Sequence, residues 1–215
     1  MTTDMKKKEK AEKIIALLEK RYPQTECGLF WQGDPYRLLI MAILSAQCTD
    51  ARVNIVSETL FARFPTPYDM AKAELSEIEE EIRSVGLYRS KARALKECCL
   101  RLTEVYGGVL PSEMDELLTL RGVGRKVANL LRGDVFGLGG IVADTHCIRI
   151  SGRLGLADGK DPLKTERALE RLIPLEKQSG YCHRNVLFGR EICTARSPKC
   201  DECELYEFCV YKDKK

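Results

Sequence analysis

The sequence predicts an all-α fold. Three observations carry that expectation. Apolar residues recur at helical spacing along most of the chain, no segment sustains period-two alternation, and Pro, Asp, Ser and Gly fall where helices should start and stop. Roughly ten short helices with short connections would account for the chain.

Taken in order, Ala11, Ile14, Ile15, Leu18 and Tyr22 make one apolar face, stopped by Pro23. Asp34 and Pro35 open the next helix, with Pro at its first position. That helix continues through Leu39, Ile40, Met41, Ile43 and Leu44, apolar nearly all round, which marks it as the buried central one. Asp50 is the expected cap of a third helix carrying Val53, Val56, Leu60 and Phe64. Ser76 and Glu79 have the spacing of a capping box, and Gly86 is the expected stop. Leu95, Cys98, Cys99, Leu102, Val105 and Tyr106 form a further stripe, ended by Gly107 and Gly108; the two cysteines lie on it and read as core. Ser112 with Asp115, then Asp144, then Asp161 with Pro162, open later helices. There is no internal repeat and no low-complexity linker.

At 215 residues the chain can bury a proper core as one domain or two compact ones. Residues 1–10 are basic and lack the apolar stretch of a secretory signal, and the longest apolar run, residues 38–44, is too short to span a bilayer. A reducing cytoplasm is therefore expected, where ten cysteines point to metal or core use instead of disulfides. A net charge of +3 neither demands nor excludes nucleic acid, so its distribution matters more. Basic residues gather at Arg121, Arg125, Lys126 and Arg132, and again at Arg184, Arg190, Arg196 and Lys199, whereas residues 77–81 are mostly acidic.

The closing cysteines are the most specific signal. Cys193, Cys200, Cys203 and Cys209 are separated by six, two and five residues. The residues between them are mostly polar, so packing alone would not order the segment. Four thiolates suit a [4Fe-4S] cluster or structural zinc. Zinc sites usually pair two Cys-x-x-Cys knuckles and only one is present, which favours iron–sulfur.

Residues 117–129 read LLTLRGVGRKVAN. A short helix meets a turn at Gly122, Val123 and Gly124, and a new helix follows. Glycines permit positive φ and close backbone approach, and the new helix offers first-turn N–H groups to an anion, flanked by Arg121 and Arg125. Such a hairpin suits a DNA phosphate held without reading sequence, although an ordinary αα-hairpin uses glycine in the same way. Lys126 shifts the balance. It falls in the first turn among other cations, a setting that disfavours an ammonium and favours the neutral amine a nucleophile needs. Asp144 follows the apolar Ile141, Val142 and Ala143 and opens the next helix, as a plain N-cap or as a carboxylate that also serves a site.

These segments resemble the helix–hairpin–helix DNA glycosylases, in the endonuclease III branch. The resemblance runs over nearly the whole chain: Ser45, Ala46 and Gln47 followed by Thr49 and Asp50, then Gly86, Leu87 and Tyr88 with Ser90, Lys91 and Ala92, then the hairpin, then residues 142–146, then the cysteines. It implies a bilobal fold, with a six-helix barrel over residues 28–138 and a discontinuous helical domain of residues 1–27 plus 139–215 carrying a [4Fe-4S] cluster. DNA would lie in the groove between them.

The implied activity is that of a bifunctional DNA glycosylase and AP lyase of base excision repair, acting as a monomer on double-stranded DNA with an oxidised pyrimidine or an abasic site. Such enzymes extrude the damaged base because its reactive carbon is inaccessible in the stack. Lys126 would attack C1′ and Asp144 would stabilise the sugar cation. Gln47 and Leu87 would fill the gap left by the extruded base. Gly122 and Gly124, with Arg121 and Arg125, would hold the backbone, and Arg196 and Lys199 would present further cations from the cysteine loop. Two departures are noted: Arg121 stands where the family often has Pro, and Cys147 replaces a commoner aliphatic residue. The adenine-removing branch carries a glutamate before the glutamine, but no acid lies between Tyr36 and Thr49, and that branch continues into a further domain, whereas six residues follow Cys209 here. Branches acting on mismatched thymine lack the lysine. An alternative of another class is a non-catalytic or redox-sensing iron–sulfur DNA-binding protein; the joint presence of Lys126 and Asp144 argues against it.

Overall fold

The computed structural model describes residues 3–211, and among them the regular structure is all helical. Eleven α-helices follow one another: α1 Thr3–Arg21, α2 Pro35–Leu44, α3 Asp50–Arg63, α4 Pro67–Lys72, α5 Leu75–Glu81, α6 Tyr88–Tyr106, α7 Met114–Leu117, α8 Arg125–Asp134, α9 Thr145–Arg153, α10 Pro162–Leu172 and α11 Leu175–Glu191. Single turns of 3-10 helix close the chain at Cys200–Glu202 and Tyr206–Phe208. The chain divides into two compact units, one of Cys27–Phe136 and one of Met1–Glu26 with Gly137–Lys215.

The first of these is built around α2. Asp34 Oδ1 accepts from Tyr36 N at 2.9 Å and Pro35 supplies a preset φ, so the helix starts where the sequence predicts. Every residue from Leu38 to Leu44 is buried. Burying each large apolar side chain is worth about 1.5–3 kcal/mol, so α2 orders the neighbours that pack on it, α3, α6 and α8. In α6, Leu95, Cys98, Cys99 and Leu102 are buried as a core stripe, while Val105 faces out. Burial raises the Cys98 thiol to about 12, as befits a packed, unreactive side chain. Gly107 and Gly108 both take positive φ, and Gly108 N donates to Leu102 O at 2.9 Å, which closes the helix as expected.

Several helix starts differ by one or two residues from the expectation. Thr49, and not Asp50, caps α3, its Oγ1 accepting from Arg52 N at 3.3 Å. The box at α5 is formed by Glu74 and Glu77, with Glu77 Oε2 accepting from Glu74 N at 2.9 Å; Ser76 lies inside the helix. That helix ends at Glu81, and Gly86 instead precedes α6. Glu113 is the N-cap of α7, without a side-chain cap from Ser112. At α3 and α5 a neighbouring residue offers the same capping chemistry as the one expected.

In the second unit, Ala11, Ile14, Ile15 and Leu18 of α1 are buried with Ile150 of α9, Leu169 of α10, and Tyr181 and Phe188 of α11. Asp161 Oδ1 caps α10 through Lys164 N at 2.7 Å. Arg21 pairs with Glu191 at 2.7 Å, and Lys177 with Glu19 at 3.0 Å, so residues far apart in sequence hold α1 against α11.

Candidate active site and metal centre

The hairpin is formed as α7, a turn and α8. Gly122 adopts φ +87, and a Cβ there would stand 3.0 Å from Ile43 Cγ2. The conformation therefore favours glycine, and the close contact with Ile43 ties the turn to α2. Gly124 is different. As N-cap of α8 it is extended, with nothing within 4 Å of an added Cβ, and it has no side chain to accept from the first-turn N–H groups. The left-handed conformation expected of the glycines thus holds at Gly122 and not at Gly124. Arg121, Arg125 and Lys126 are exposed, with Arg121 Nε 3.6 Å from Glu97 Oε2. Basic side chains and a helix start lie on one exposed hairpin, the arrangement that receives a phosphate.

Asp144 is the N-cap of α9. Its Oδ1 accepts from Cys147 N at 2.7 Å, and its own N donates to Val142 O at 2.8 Å. The carboxylate is half-buried, so the cap fixes its direction without removing it from solvent. The strap before it is anchored in turn, since Val142 N donates to Cys182 Sγ at 3.2 Å. Cys147 is fully buried, which makes it a core residue directly beneath the carboxylate.

Gln47 and Leu87 share an unusual feature. Both are non-glycine residues in the left-handed region, at φ 53 and φ 60. Each such residue costs on the order of 1–3 kcal/mol and persists only where its surroundings over-determine it. Both are exposed, Leu87 at 62%. Their loops adjoin, because a Cβ on Gly86 would lie 3.9 Å from Gln47 O. Two exposed side chains, an amide and an isobutyl group, thus stand on adjoining loops against backbone preference.

Cys193, Cys200, Cys203 and Cys209 line one pocket with Arg153, Ile192 and Tyr206. Burial, and then the other three cysteines, push the Cys203 thiol up to about 11. Four sulfurs lining one pocket form a donor set that a cationic centre would stabilise. Among the described residues, no three potential ligands converge closely enough for a single ion. By ligand type, four cysteine sulfurs around one pocket could serve a polynuclear cluster or a single zinc ion. Two arginines of α9 organise the segment. Arg149 Nη2 donates to Cys193 O at 2.9 Å, and Arg153 donates to Thr194 O at 2.7 Å, to Ala195 O at 3.0 Å and to Cys193 Sγ at 3.3 Å. Arg196 and Lys199 are exposed on the loop between the first two cysteines, Lys199 lying 3.9 Å from Glu202.

Sequence reasoning assigned no role to Lys91, Arg149 or Arg153. For Lys91 a signal existed: it precedes Leu95, Cys98 and Leu102 at steps of four, three and four, on the buried face of α6.

Comparison with known proteins places this geometry. Residues 40–175 match the HhH-GPD superfamily of base excision DNA repair proteins, and residues 193–209 match the iron–sulfur binding domain of endonuclease III. The chain is 44% identical over 204 residues to endonuclease III of Synechocystis sp., covering 94% of this chain and 93% of that protein. It is 43% identical over 189 residues to endonuclease III of Bacillus subtilis, covering 87% and 86%. A solved structure of a trapped covalent intermediate between endonuclease III and DNA superposes with a TM-score of 0.88 at 41% identity, covering 98% of this chain and 97% of that one. With the hairpin, the capped aspartate and the cysteine pocket in place, these matches show that the chain belongs to the endonuclease III family of HhH-GPD base excision repair proteins.

Proposed function

We propose that the protein is a bifunctional DNA glycosylase and AP lyase that removes oxidised pyrimidines, with Lys126 as its nucleophile. One observation supports this above others: Lys126 is exposed in the first turn of α8, behind a glycine N-cap, in a chain of the endonuclease III family. Double-stranded DNA with a damaged pyrimidine or an abasic site is the substrate. The trapped covalent complex of a relative supports a covalent route.

The base is first turned out of the stack. The Lys126 amine attacks C1′, the N-glycosidic bond breaks, and the base leaves with its bonding pair. The sugar ring opens to a Schiff base on Lys126. Loss of a proton from C2′ then expels the 3′ phosphate as the C3′–O bond breaks, and water releases the lysine. Asp144, directed by its cap to Cys147 N, stabilises the positive charge that develops on the sugar. Gln47 pairs with the orphaned opposite base, and Leu87 props the stack apart. Gly122, Gly124, Arg121 and Arg125 hold the backbone at the hairpin, with Arg196 and Lys199 contributing from the cysteine loop. Cys193, Cys200, Cys203 and Cys209 hold a [4Fe-4S] cluster, which supplies the bonds that order that loop. We read residues 28–138 as one domain and residues 1–27 with 139–215 as the other. Among the described residues no helix is long and apolar enough to cross a membrane. Action as a monomer in the cytoplasm, at the nucleoid through DNA binding, completes the reading.

The test is an incision assay on duplexes carrying thymine glycol, an abasic site or 8-oxoguanine, with and without borohydride. Lys126→Gln is expected to abolish both base release and the trapped adduct while duplex binding persists, because docking rests on many donors. A trapped adduct in that variant would place the nucleophile elsewhere.

A further inference from the structure

Lys91 is a lysine where the helical pattern calls for a hydrophobe. Its side chain is 5% exposed, packed on the core face of α6. The ammonium donates to Leu44 O at 2.9 Å and to Ala46 O at 2.6 Å. Leu44 is the last residue of α2, so these acceptors lie at and just past the helix end, where carbonyls lack intrahelical partners and the dipole is negative. Ala46 immediately precedes Gln47. At its other end, the backbone N of Lys91 donates to Leu87 O at 3.0 Å, closing the first turn of α6 on that residue. One residue is therefore bonded to the carbonyl before one left-handed residue and to the carbonyl of the other. Burial lowers the affinity of this amine for its proton, with the nearby Cys48 opposing. The two carbonyls are what make a charged donor tenable there.

We propose that Lys91 is the positioning residue whose ammonium, bonded to Ala46 O, holds Gln47 in its left-handed conformation, so that Gln47 meets the duplex already shaped to fill the gap behind an extruded base. Without the ammonium, the Ala46–Gln47 peptide is released, Gln47 relaxes to negative φ, and its side chain must be reoriented during extrusion, whereas the main-chain bond from Lys91 N to Leu87 O remains. The proposal rests on the reading of Gln47 given above. Lys91 itself touches no reacting atom.

The test is a cycle of variants on two substrates. Base release is measured in single turnover on a thymine glycol duplex, and borohydride trapping on a duplex with a preformed abasic site, where no base has to be unstacked. Lys91→Met cannot donate and is expected to slow base release by roughly tenfold or more, with a much smaller loss in trapping. Lys91→Arg keeps donors and should recover part of the difference. When Gln47→Ala is already present, adding Lys91→Met should cost little more. Equal losses in both backgrounds, or equal losses on both substrates, would overturn the proposal, since a lysine that only stabilises the fold lowers all activities alike. If circular dichroism shows Lys91→Met to be unfolded, Lys91→Gln, polar but too short to reach both carbonyls, goes through the same cycle and the same outcomes decide. A wild-type protein that gives no trapped adduct on abasic DNA sinks the underlying reading, and that control tells the two failures apart.

Discussion

At the scale of single residues, Asp144 is an N-cap to which we also assign a catalytic role by proposal. Its Oδ1 is fixed by Cys147 N at 2.7 Å, and asparagine offers an equivalent acceptor. Asp144→Asn should therefore keep stability within about 1 kcal/mol in a thermal melt. Losing the negative charge should cost roughly a hundredfold or more in single-turnover base release. Near-normal turnover would reduce Asp144 to a cap. The aspartate was legible in the sequence because capping is local: an acid follows an apolar run and opens a helix. Lys91 was not assigned, although its residue type and register were both visible. Its partners, Leu44 O and Ala46 O, are backbone atoms more than forty residues away, and backbone acceptors have no sequence signature. The left-handed backbone at Gln47 and Leu87 was equally hidden, because neither residue type favours it.

At the scale of elements, the two hairpin glycines separate fold from function. Gly122 has φ +87 and only tight space beside Ile43, so Gly122→Ala should destabilise the protein by about 1–2 kcal/mol. For a chain of this size that lowers the melting temperature by roughly 2–8 °C. Gly124 is extended with open space around it, so Gly124→Ala should melt close to wild type, a modest weakening of the cap aside. If the hairpin receives a phosphate, that added methyl should instead weaken duplex binding. Unchanged affinity in a folded Gly124→Ala protein would return the hairpin to a packing role. The sequence showed two glycines in a G-x-G turn and could not tell them apart, because the difference lies in Ile43 of α2. The order of the helices and the buried character of α2 were readable, since apolar periodicity is strong over whole turns. Exact starts at α3, α5 and α7 were not, because acidic and hydroxyl residues cluster at each.

At the scale of the whole molecule, the unit that carries the cysteines is assembled from both ends of the chain. Its order depends on distant pairings, among them Arg21 of α1 with Glu191 and with Glu204, which lies between Cys203 and Cys209. The cysteine segment has little regular structure of its own, only two 3-10 turns, and arginines of α9 tie it down at Cys193, Thr194 and Ala195. Few apolar side chains serve it, Leu205 being one that is buried. With so little apolar packing, bonds to a cluster would add to these polar ties and act as a strut for Arg196 and Lys199. Cys203→Ala should then release iron, bleach the visible absorbance and raise hydrogen exchange in residues 139–211 and in α1. Exchange in residues 27–136 should stay near wild type, because their core around α2 is separate. Duplex binding should weaken with the loss of the loop. Arg196→Ala should keep the colour and the exchange pattern, and weaken binding of all duplexes alike with a salt slope shallower by about one. A folded, colourless Cys203→Ala protein that binds and cuts as well as wild type would show that the loop is ordered without its metal, and would remove the cluster from the account of DNA binding.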